Sequence, residues 1–244
     1  MTAAAQASSA ASPFPELAPQ QLFSLHDQVV LITGAAGGIG GALARGLAAA
    51  GARLVACDVN PRVHELAAQW RESGMQVDAM TFDLTREDEI ARAFAQVVER
   101  HGRIDVLINN AGVIVRTPFL ELKREEWQKV IDIDLTACFL MAQQAARLMV
   151  KQGGGRIIHL SSIMNHVARP NLVPYVSAKG GVSALTRAMA ADLAGTGVTV
   201  NALAPGYTQT EFSQAKDPEL MHSSPAGRQP VAGASPKKIG RAHV

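Results

Sequence analysis

Short apolar runs alternate with longer amphipathic segments from residue 23 onward. An unbroken apolar run is typical of a strand buried on both faces, as in a parallel sheet. Between these runs, apolar residues recur at helical spacing, as Ile90, Phe94 and Val97 do. Repeated strand–helix units predict one α/β domain with a doubly wound parallel sheet and right-handed crossovers. We predict strands at 28–33, 53–58, 77–82, 104–108, 156–161 and 198–203, and helices at 38–51, 61–73, 86–101, 123–150 and 174–195.

The two ends of the chain differ in composition from the segment between them. Residues 1–21 are rich in Ala, Ser, Pro and Gln and contain no Lys or Arg, so they lack the basic start of a signal peptide. We expect a disordered leader at 1–21 and a single domain at 22–212. Residues 213–244 are dominated by Ser, Pro, Gly and Lys, which predicts a poorly ordered C-terminal segment.

Charge and cysteine content argue against several classes of function. The net charge is +2 and no block of like charges occurs, so neither nucleic acid nor an anionic membrane is expected as a partner. No run approaches the roughly 18 apolar residues that a membrane span needs. Cys57 and Cys138 lie in apolar segments without metal-ligand spacing, so we expect free thiols, no metal site and a reducing, cytoplasmic compartment.

A glycine-rich turn joins the first predicted strand to the first predicted helix, where residues 29–40 read VVLITGAAGGIG. Gly34 and Gly38 allow the backbone to approach a pyrophosphate, and Gly40 lets the helix pack closely on the strand. The N–H groups at the helix start, around Ile39, suit a phosphate. Glycines at such a turn can also serve packing alone, so the turn is a stronger signal when an acidic residue ends the next strand.

An acidic residue does end the second predicted strand. Asp58 lies 18 residues after Gly40, where a carboxylate can accept both ribose hydroxyls of an adenosine. A carboxylate there would also repel the 2′-phosphate of NADP, so we expect NAD(H) as the cofactor. The alternative is that Asp58 only caps the next helix, with Asn60 and Pro61 as the turn.

Small and amide residues come after the fourth predicted strand, where residues 109–112 read NNAG. Ligands of open parallel sheets bind outside the carboxyl ends of the strands. Small residues at this edge leave room for a flat cofactor ring, and the Asn side chains can brace neighbouring loops. By itself the motif is also compatible with an ordinary turn.

Ser162, Tyr175 and Lys179 form the third candidate site. Tyr175 and Lys179 are four residues apart in a predicted helix and therefore share one face. A phenol has a pKa of about 10, and a neighbouring ammonium favours its anion. With Ser162 at a strand end to hold the substrate oxygen, the three residues predict proton transfer for a carbonyl/alcohol pair. The alternative is a surface tyrosine and a solvated lysine on an ordinary helix.

Taken together, these motifs resemble the short-chain dehydrogenase/reductase family. Thr33 to Gly40 is similar to its TGxxxGxG motif, residues 109–112 to NNAG, and Ser162, Tyr175 and Lys179 to its catalytic Ser, Tyr and Lys. The resemblance implies a Rossmann-type fold and hydride transfer, with Tyr175 as general acid/base and Lys179 also binding the nicotinamide ribose. The implied cofactor-binding residues are Gly34, Gly38, Ile39, Gly40, Asp58, Asp83, Leu84, Asn110, Ala111, Gly112, Tyr175, Lys179, Pro205, Gly206, Thr208 and Thr210.

Two features depart from the family pattern. Asp134 occupies the position of a family Asn that positions the lysine and a relay water, so we include Asp134 in the catalytic set. A carboxylate there is expected to pair with Lys179 and weaken its effect on Tyr175. The chain also stops at Val244, which predicts that the family's final helix and edge strand are lacking.

Finer similarities point to the gluconate 5-dehydrogenase and deoxygluconate dehydrogenase branch, which acts on sugar acids. They lie in the runs around Pro174-Tyr175, Lys179-Gly180-Gly181 and Pro205-Gly206. Arg116 and Arg169 are then candidates to bind a substrate carboxylate, although both also fit ordinary surface arginines.

The sequence therefore predicts an NAD(H)-dependent oxidoreductase that acts on a small-molecule substrate, namely a sugar acid, polyol or small ketone. A 3-oxoacyl-carrier-protein reductase shares all these motifs and is the enzymatic alternative. A catalytically weak dinucleotide-binding regulatory protein is the alternative from another class. Helices 123–150 and 174–195 carry apolar residues beyond one stripe, which predicts a homodimer or homotetramer.

Overall fold

Strands and helices alternate along the computed structural model, which describes residues 23–208 and 210. The strands are β1 Val29–Thr33, β2 Arg53–Asp58, β3 Val77–Thr81, β4 Val106–Asn109, β5 Gly155–Leu160 and β6 Val198–Leu203. The α-helices are α1 Gly38–Ala49, α2 Arg62–Glu72, α3 Glu87–His101, α4 Arg124–Ile131, α5 Ala137–Lys151 and α6 Val173–Asp192. Short 3₁₀ turns cover Phe119–Glu121 and Ile163–Asn165, and Asp132–Thr136 is π-helical.

The six strands form one parallel sheet in the order β3-β2-β1-β4-β5-β6. Val30 of β1 pairs with Leu54 of β2 on one side and with Val106 of β4 on the other. The chain therefore moves outward in one direction from β1 to β3 and in the other from β4 to β6. This reversal opens a crevice at the carboxyl ends of β1 and β4, which is where ligands of doubly wound sheets bind.

Apolar side chains cover both faces of this sheet, as the unbroken apolar runs predict. Alternate residues of β1 point to opposite faces, so Leu31 joins a core cluster with Phe94 and Met141, and Ile32 joins another with Ala44 and Trp70. All five residues of β1 are buried. The predicted doubly wound parallel sheet is therefore confirmed.

The predicted helix over 123–150 is present, but its winding changes along its length. The segment consists of α4 and α5 with the π-helical residues Asp132–Thr136 between them. The N–H of Ala137 donates to the carbonyl of Asp132, five residues earlier, and this widens the turn. The hydrophobic period alone does not reveal such a local change in winding.

Several predictions lie outside the described residues. The leader at 1–21, the C-terminal segment at 213–244 and the expected lack of a final helix and edge strand all belong to this group. Within 23–208 and at 210, no helix is both long and apolar enough to cross a membrane.

Candidate active site

The glycine-rich turn is shaped by close backbone approaches. Gly34 has φ 69°, and a Cβ there would lie 2.8 Å from Nδ2 of Asn110. A Cβ at Gly40 would collide with the carbonyl oxygen of Gly34, and one at Gly38 would lie 2.7 Å from Cβ of Thr210. Gly37, at the start of α1, has no side chain that could cap the helix. The first turn of the helix therefore begins among glycines that leave room for a ligand, and its N–H groups suit a phosphate.

The ends of β1 and β4 are joined by a network that the sequence did not predict in full. Thr33 Oγ1 accepts hydrogen bonds from the N–H groups of Asn110 and Ala111, both at 3.1 Å. Asn110 Nδ2 donates to the carbonyls of Thr33 at 3.0 Å and Gly34 at 3.2 Å. The role of Thr33 was missed, although its position before the glycine turn was a usable signal.

Asp58 bridges the glycine-rich turn and the turn after β2. Its Oδ2 accepts from the N–H of Ala36 and its Oδ1 from the N–H of Asn60, both at 2.9 Å. Asn60 Oδ1, rather than Asp58, accepts from the N–H of Arg62 at the start of α2. Both carboxylate oxygens retain lone pairs that can accept from a ligand.

Asp83 and Leu84 follow β3 at the same edge of the sheet. Asp83 Oδ1 accepts from the N–H and the hydroxyl of Thr85, both at 2.8 Å, and its own N–H donates to Glu89. Leu84 is partly buried and packs on the core cluster that contains Leu31. The bonds to Thr85 and Glu89 fix this turn beside the end of β2.

Tyr175 and Lys179 lie one turn apart on α6, at the carboxyl edge of the sheet. Lys179 Nζ is 5.5 Å from the centre of the Tyr175 ring and donates to the carbonyl of Leu160 at 3.0 Å. Lys179 is 4% exposed, whereas Tyr175 is half-buried. Ser162 follows β5 two residues after Leu160, and its Oγ accepts from the N–H of Met164 at 3.2 Å. The Ser162 hydroxyl hydrogen is therefore available for another acceptor.

Asp134 lies on the π-helical segment and is fully buried. Its Oδ1 accepts from the N–H of Val113 at 2.7 Å, and its Oδ2 is 3.2 Å from Lys179 Nζ. Burial raises the pKa of the Asp134 carboxyl, against the opposing effects of Lys179 and the Val113 N–H. Burial disfavours the Lys179 ammonium, but Asp134 together with Cys138 and Tyr175 outweighs this and raises the pKa of Lys179.

A second polar network anchors α6 to β5. Ser161 Oγ donates to the carbonyl of Lys179 at 3.1 Å and lies 2.7 Å from Ser183 Oγ, which also accepts from Asn165 Nδ2 at 2.7 Å. Sequence reasoning missed Ser161 and Ser183. The paired serines after β5 and the spacing of Ser183 four residues after Lys179 were the available signals.

His159 and Asn109 form a buried pair across β5 and β4. Asn109 Nδ2 lies 3.2 Å from His159 Nδ1 and donates to the carbonyl of Cys138 at 3.2 Å. Burial, with a contribution from Lys179, lowers the pKa of His159 to about 4. The imidazole is therefore neutral at physiological pH, and no sequence motif indicated it.

The loop after β6 packs beside Ser162. The carbonyl of Pro205 accepts from the N–H of Ile163 at 3.1 Å, and Thr208 Oγ1 donates to the carbonyl of Gly206 at 3.4 Å. Thr210 lies against Gly38 of the glycine-rich turn. The structure thus brings the predicted residues of this loop between the turn and the catalytic candidates.

The two candidate arginines differ in their surroundings. Arg116 is half-buried in the loop after β4, and its Nε is buried without a hydrogen-bond partner among the described residues. Arg169 is exposed in the loop before α6. A hydrogen bond from the N–H of Thr117 to the carbonyl of Asn171, 3.1 Å long, ties the two loops together.

Comparisons with known proteins agree with this geometry. The family model described as short chain dehydrogenase matches residues 28–220. The chain is 40% identical over 195 residues to the 5-keto-D-gluconate 5-reductase of Escherichia coli strain K12, across 80% of this chain and 77% of that protein. It is 38% identical over 193 residues to a 3-oxoacyl-acyl-carrier-protein reductase of Synechocystis sp., across 78% of each.

A solved structure gives the same picture. A gluconate 5-dehydrogenase from Burkholderia cenocepacia, crystallised with NADP and tartrate, has a TM-score of 0.76 and 40% identity, covering 79% of this chain and 76% of that one. Similarity of this extent in sequence and fold, together with the family match, leads to one conclusion. The chain belongs to the short-chain dehydrogenase family of oxidoreductases.

Proposed function

We propose that this protein is an NAD(H)-dependent dehydrogenase that interconverts the alcohol and carbonyl groups of a sugar acid or a related polyol or small ketone. The observation that carries the proposal is the placement of Tyr175 beside the buried ammonium of Lys179, at the same sheet edge as the glycine-rich turn that leads into α1. Asp58, the glycine-rich turn and Lys179 all lie at this edge and would hold a dinucleotide.

The bound nicotinamide would exchange a hydride with the substrate carbon. Tyr175 would accept the hydroxyl proton during oxidation and donate it during reduction. Ser162 would donate its free hydroxyl hydrogen to the substrate oxygen, because its Oγ already accepts from Met164. Lys179 would use its remaining N–H to hold the nicotinamide ribose.

The preference for NAD(H) is supported by Asp58. Its carboxylate is held at the end of β2 by two backbone N–H groups and keeps lone pairs for ribose hydroxyls. A 2′-phosphate at the same place would meet a negative charge. The NADP in the Burkholderia cenocepacia structure is the contrary observation. Titration of the purified protein with both cofactors decides between them, and tighter NADP(H) binding would contradict the proposal.

The sugar-acid substrate is supported by Arg116. A guanidinium with a buried Nε that no described residue satisfies is suited to a carboxylate supplied by a ligand. We expect Arg116→Gln to raise KM for a sugar acid about tenfold or more, and to leave KM for the matching polyol, which lacks the carboxylate, unchanged. Arg147→Gln, an exposed arginine on α5, is the matched control. An equal effect on both substrates would argue against Arg116 as the carboxylate site.

The 3-oxoacyl reductase remains the second candidate, because the Synechocystis sp. relative is nearly as similar as the gluconate one. A screen of sugar acids, polyols and oxoacyl thioesters, followed by the absorbance of the reduced nicotinamide, separates the two. Turnover confined to thioesters would select the second candidate. Cofactor binding without turnover on any substrate would favour the regulatory protein instead.

We further propose that the enzyme is a homodimer or homotetramer. Met149 of α5 and Val182 of α6 are buried in the protomer's own core and therefore do not lie on a free surface. Phe139 and Val150 of α5 are 43% and 42% exposed and are better interface candidates. Light scattering at micromolar concentration tests the proposal, and a monomer mass would contradict it.

A further inference from the structure

Several titratable groups surround Lys179 in the catalytic set. Asp134 faces it from the π-helical segment at 3.2 Å, and Tyr175 lies beside it on α6 at 5.5 Å from ring centre to Nζ. Lys179 also acts electrostatically on Cys138 of α5 and on His159 of β5. His159 is neutral and the Cys138 thiol is buried, and burial raises its pKa to about 11. The only opposite charge close to Lys179 in the described part of the chain is therefore Asp134.

Water does not screen this pair. The side chains of Lys179 and Asp134 are 5% and 0% exposed. Charges in such a site interact much more strongly than charges on the surface. Asp134 is also held in place, because its other oxygen accepts from the N–H of Val113 at 2.7 Å. Gly112 leaves room for its Oδ2, since a Cβ at that position would lie only 2.8 Å from this oxygen. The carboxylate cannot turn away from the lysine without losing the Val113 bond.

We propose that Asp134 is a positioning residue that compensates the charge of Lys179, so that proton transfer by Tyr175 requires a more alkaline pH than Lys179 alone would give. The proposal rests on the proposed function, in which Tyr175 exchanges the substrate proton. A lysine that stands alone stabilises a neighbouring phenolate, whereas a lysine paired with a carboxylate acts as a dipole of zero net charge. The Lys179 ammonium is thereby kept, while its effect on Tyr175 is reduced.

The test compares Asp134→Asn with Asp132→Asn. Both changes convert a carboxylate on the same π-helical segment to an amide, but Asp132 bonds to Gln128 rather than to Lys179. The measurement is the rate of alcohol oxidation as a function of pH. We expect the rise of this rate on the acid side of the profile to occur about 1 pH unit lower in Asp134→Asn than in the wild type. We expect no movement in Asp132→Asn. The amide introduced by Asp134→Asn is nearly isosteric with the carboxylate and keeps an oxygen for the Val113 N–H.

A second readout does not depend on turnover. The chain has two tyrosines, so in a Tyr207→Phe background the ultraviolet absorbance of tyrosinate reports Tyr175 alone. We expect Asp134→Asn to lower the titration midpoint of this signal by about 1 unit. If no substrate were turned over, the proposed function would fail while this titration still tested the charge compensation.

A third variant covers the case in which Asp134→Asn does not fold. If Asp134 compensates the charge of Lys179, the two side chains together carry no net charge. Lys179→Met then leaves the net charge next to Tyr175 unchanged, because the buried Asp134 takes up a proton. The pH at the midpoint of the Tyr175 titration should then rise by less than about half a unit. A rise of about a full unit or more would overturn the proposal, as would a midpoint in Asp134→Asn that stays the same or moves to higher pH.

Discussion

The two halves of the sheet bury very different side chains. In the first half, β1–β3 with α1–α3, Thr33 is the one buried polar side chain among the described residues, and the site is formed by backbone N–H groups and glycines. In the second half, β4–β6 with α4–α6, the described residues bury Asp134, His159 and Lys179. Around the glycine-rich turn, the cofactor-side half thus presents backbone groups, with the half-buried carboxylate of Asp58 beside them. The catalytic half depends on charges that must be paired.

The two halves should therefore tolerate different kinds of substitution. Cofactor binding by backbone N–H groups requires space that no side chain fills. An added side chain in the glycine-rich turn should therefore weaken binding by steric collision. Buried titratable groups depend on protonation state, so the second half should be the source of pH sensitivity. Substitutions in each half, paired with matched controls, test this contrast.

The largest effect is expected from Tyr175→Phe in the catalytic half. Removing the hydroxyl removes the site of the transferred proton, so turnover should fall by about 1,000-fold or more. Cofactor binding, followed by fluorescence titration, should persist because the glycine-rich turn is untouched. Tyr207→Phe makes the same chemical change at an exposed site and should keep activity. A loss of only a few-fold in Tyr175→Phe would remove Tyr175 from its proposed role.

The next effect concerns acid stability and His159. Its folded-state pKa of about 4 lies below the ordinary histidine value of about 6.5. Between these values the unfolded chain binds a proton that the folded chain does not, so stability is lost as pH falls through this window. The difference between these two pKa values lowers the free energy of unfolding by about 3 kcal/mol by pH 4.

Melting temperatures of the wild type and His159→Asn between about pH 7 and pH 4 measure this loss. We expect a flatter pH dependence in His159→Asn, whereas His64→Asn, at an exposed position in the first half, should follow the wild type. Parallel curves for the wild type and His159→Asn would show that the acid sensitivity has another source.

The cofactor half should respond to a single methyl group. Gly40→Ala places a Cβ against the Gly34 carbonyl and should destabilise the fold by about 1–3 kcal/mol and weaken dinucleotide binding. Gly46→Ala lies on the same helix in open space and should stabilise it by about 0.5–1 kcal/mol. Denaturant titration of both variants measures the difference in their stability. Equal stability would mean that the turn accommodates the added methyl group without strain.

The smallest effect is expected at Asp58. Asp58→Asn removes the charge but keeps an oxygen for one of its two backbone partners. The ratio of kcat/KM for NAD over NADP should fall about tenfold, which is the effect of a lost repulsion of roughly 1.4 kcal/mol. Asp88→Asn, exposed on α3, should leave the ratio unchanged. An unaltered ratio in Asp58→Asn would mean that the carboxylate does not contact the adenosine ribose.

Much of the fold could be predicted from sequence because its signals are local. All six strands occur within two residues of their predicted ends, since unbroken apolar runs such as 29–32 are typical of strands buried on both faces of a parallel sheet. The glycine-rich turn and the Tyr175–Lys179 pair were also readable, because steric freedom and helical spacing are properties of a few neighbouring residues. The π-helical winding at 132–136 was not, because the spacing of apolar residues does not mark a change of winding over a single turn.

The sequence by itself determined the order of strands and helices, the turn with its glycines and the spacing of Tyr175 from Lys179. Only the tertiary structure decided that His159 pairs with Asn109 and that Ser183 anchors α6 to Ser161. The contact of Asp134 with Lys179 was expected from the family resemblance, and the structure places the two groups 3.2 Å apart. Asp134 and Lys179 are 45 positions apart in the chain. Contacts between such distant segments depend on how helices pack on the sheet, and the polar groups they bury leave no periodic pattern in the sequence.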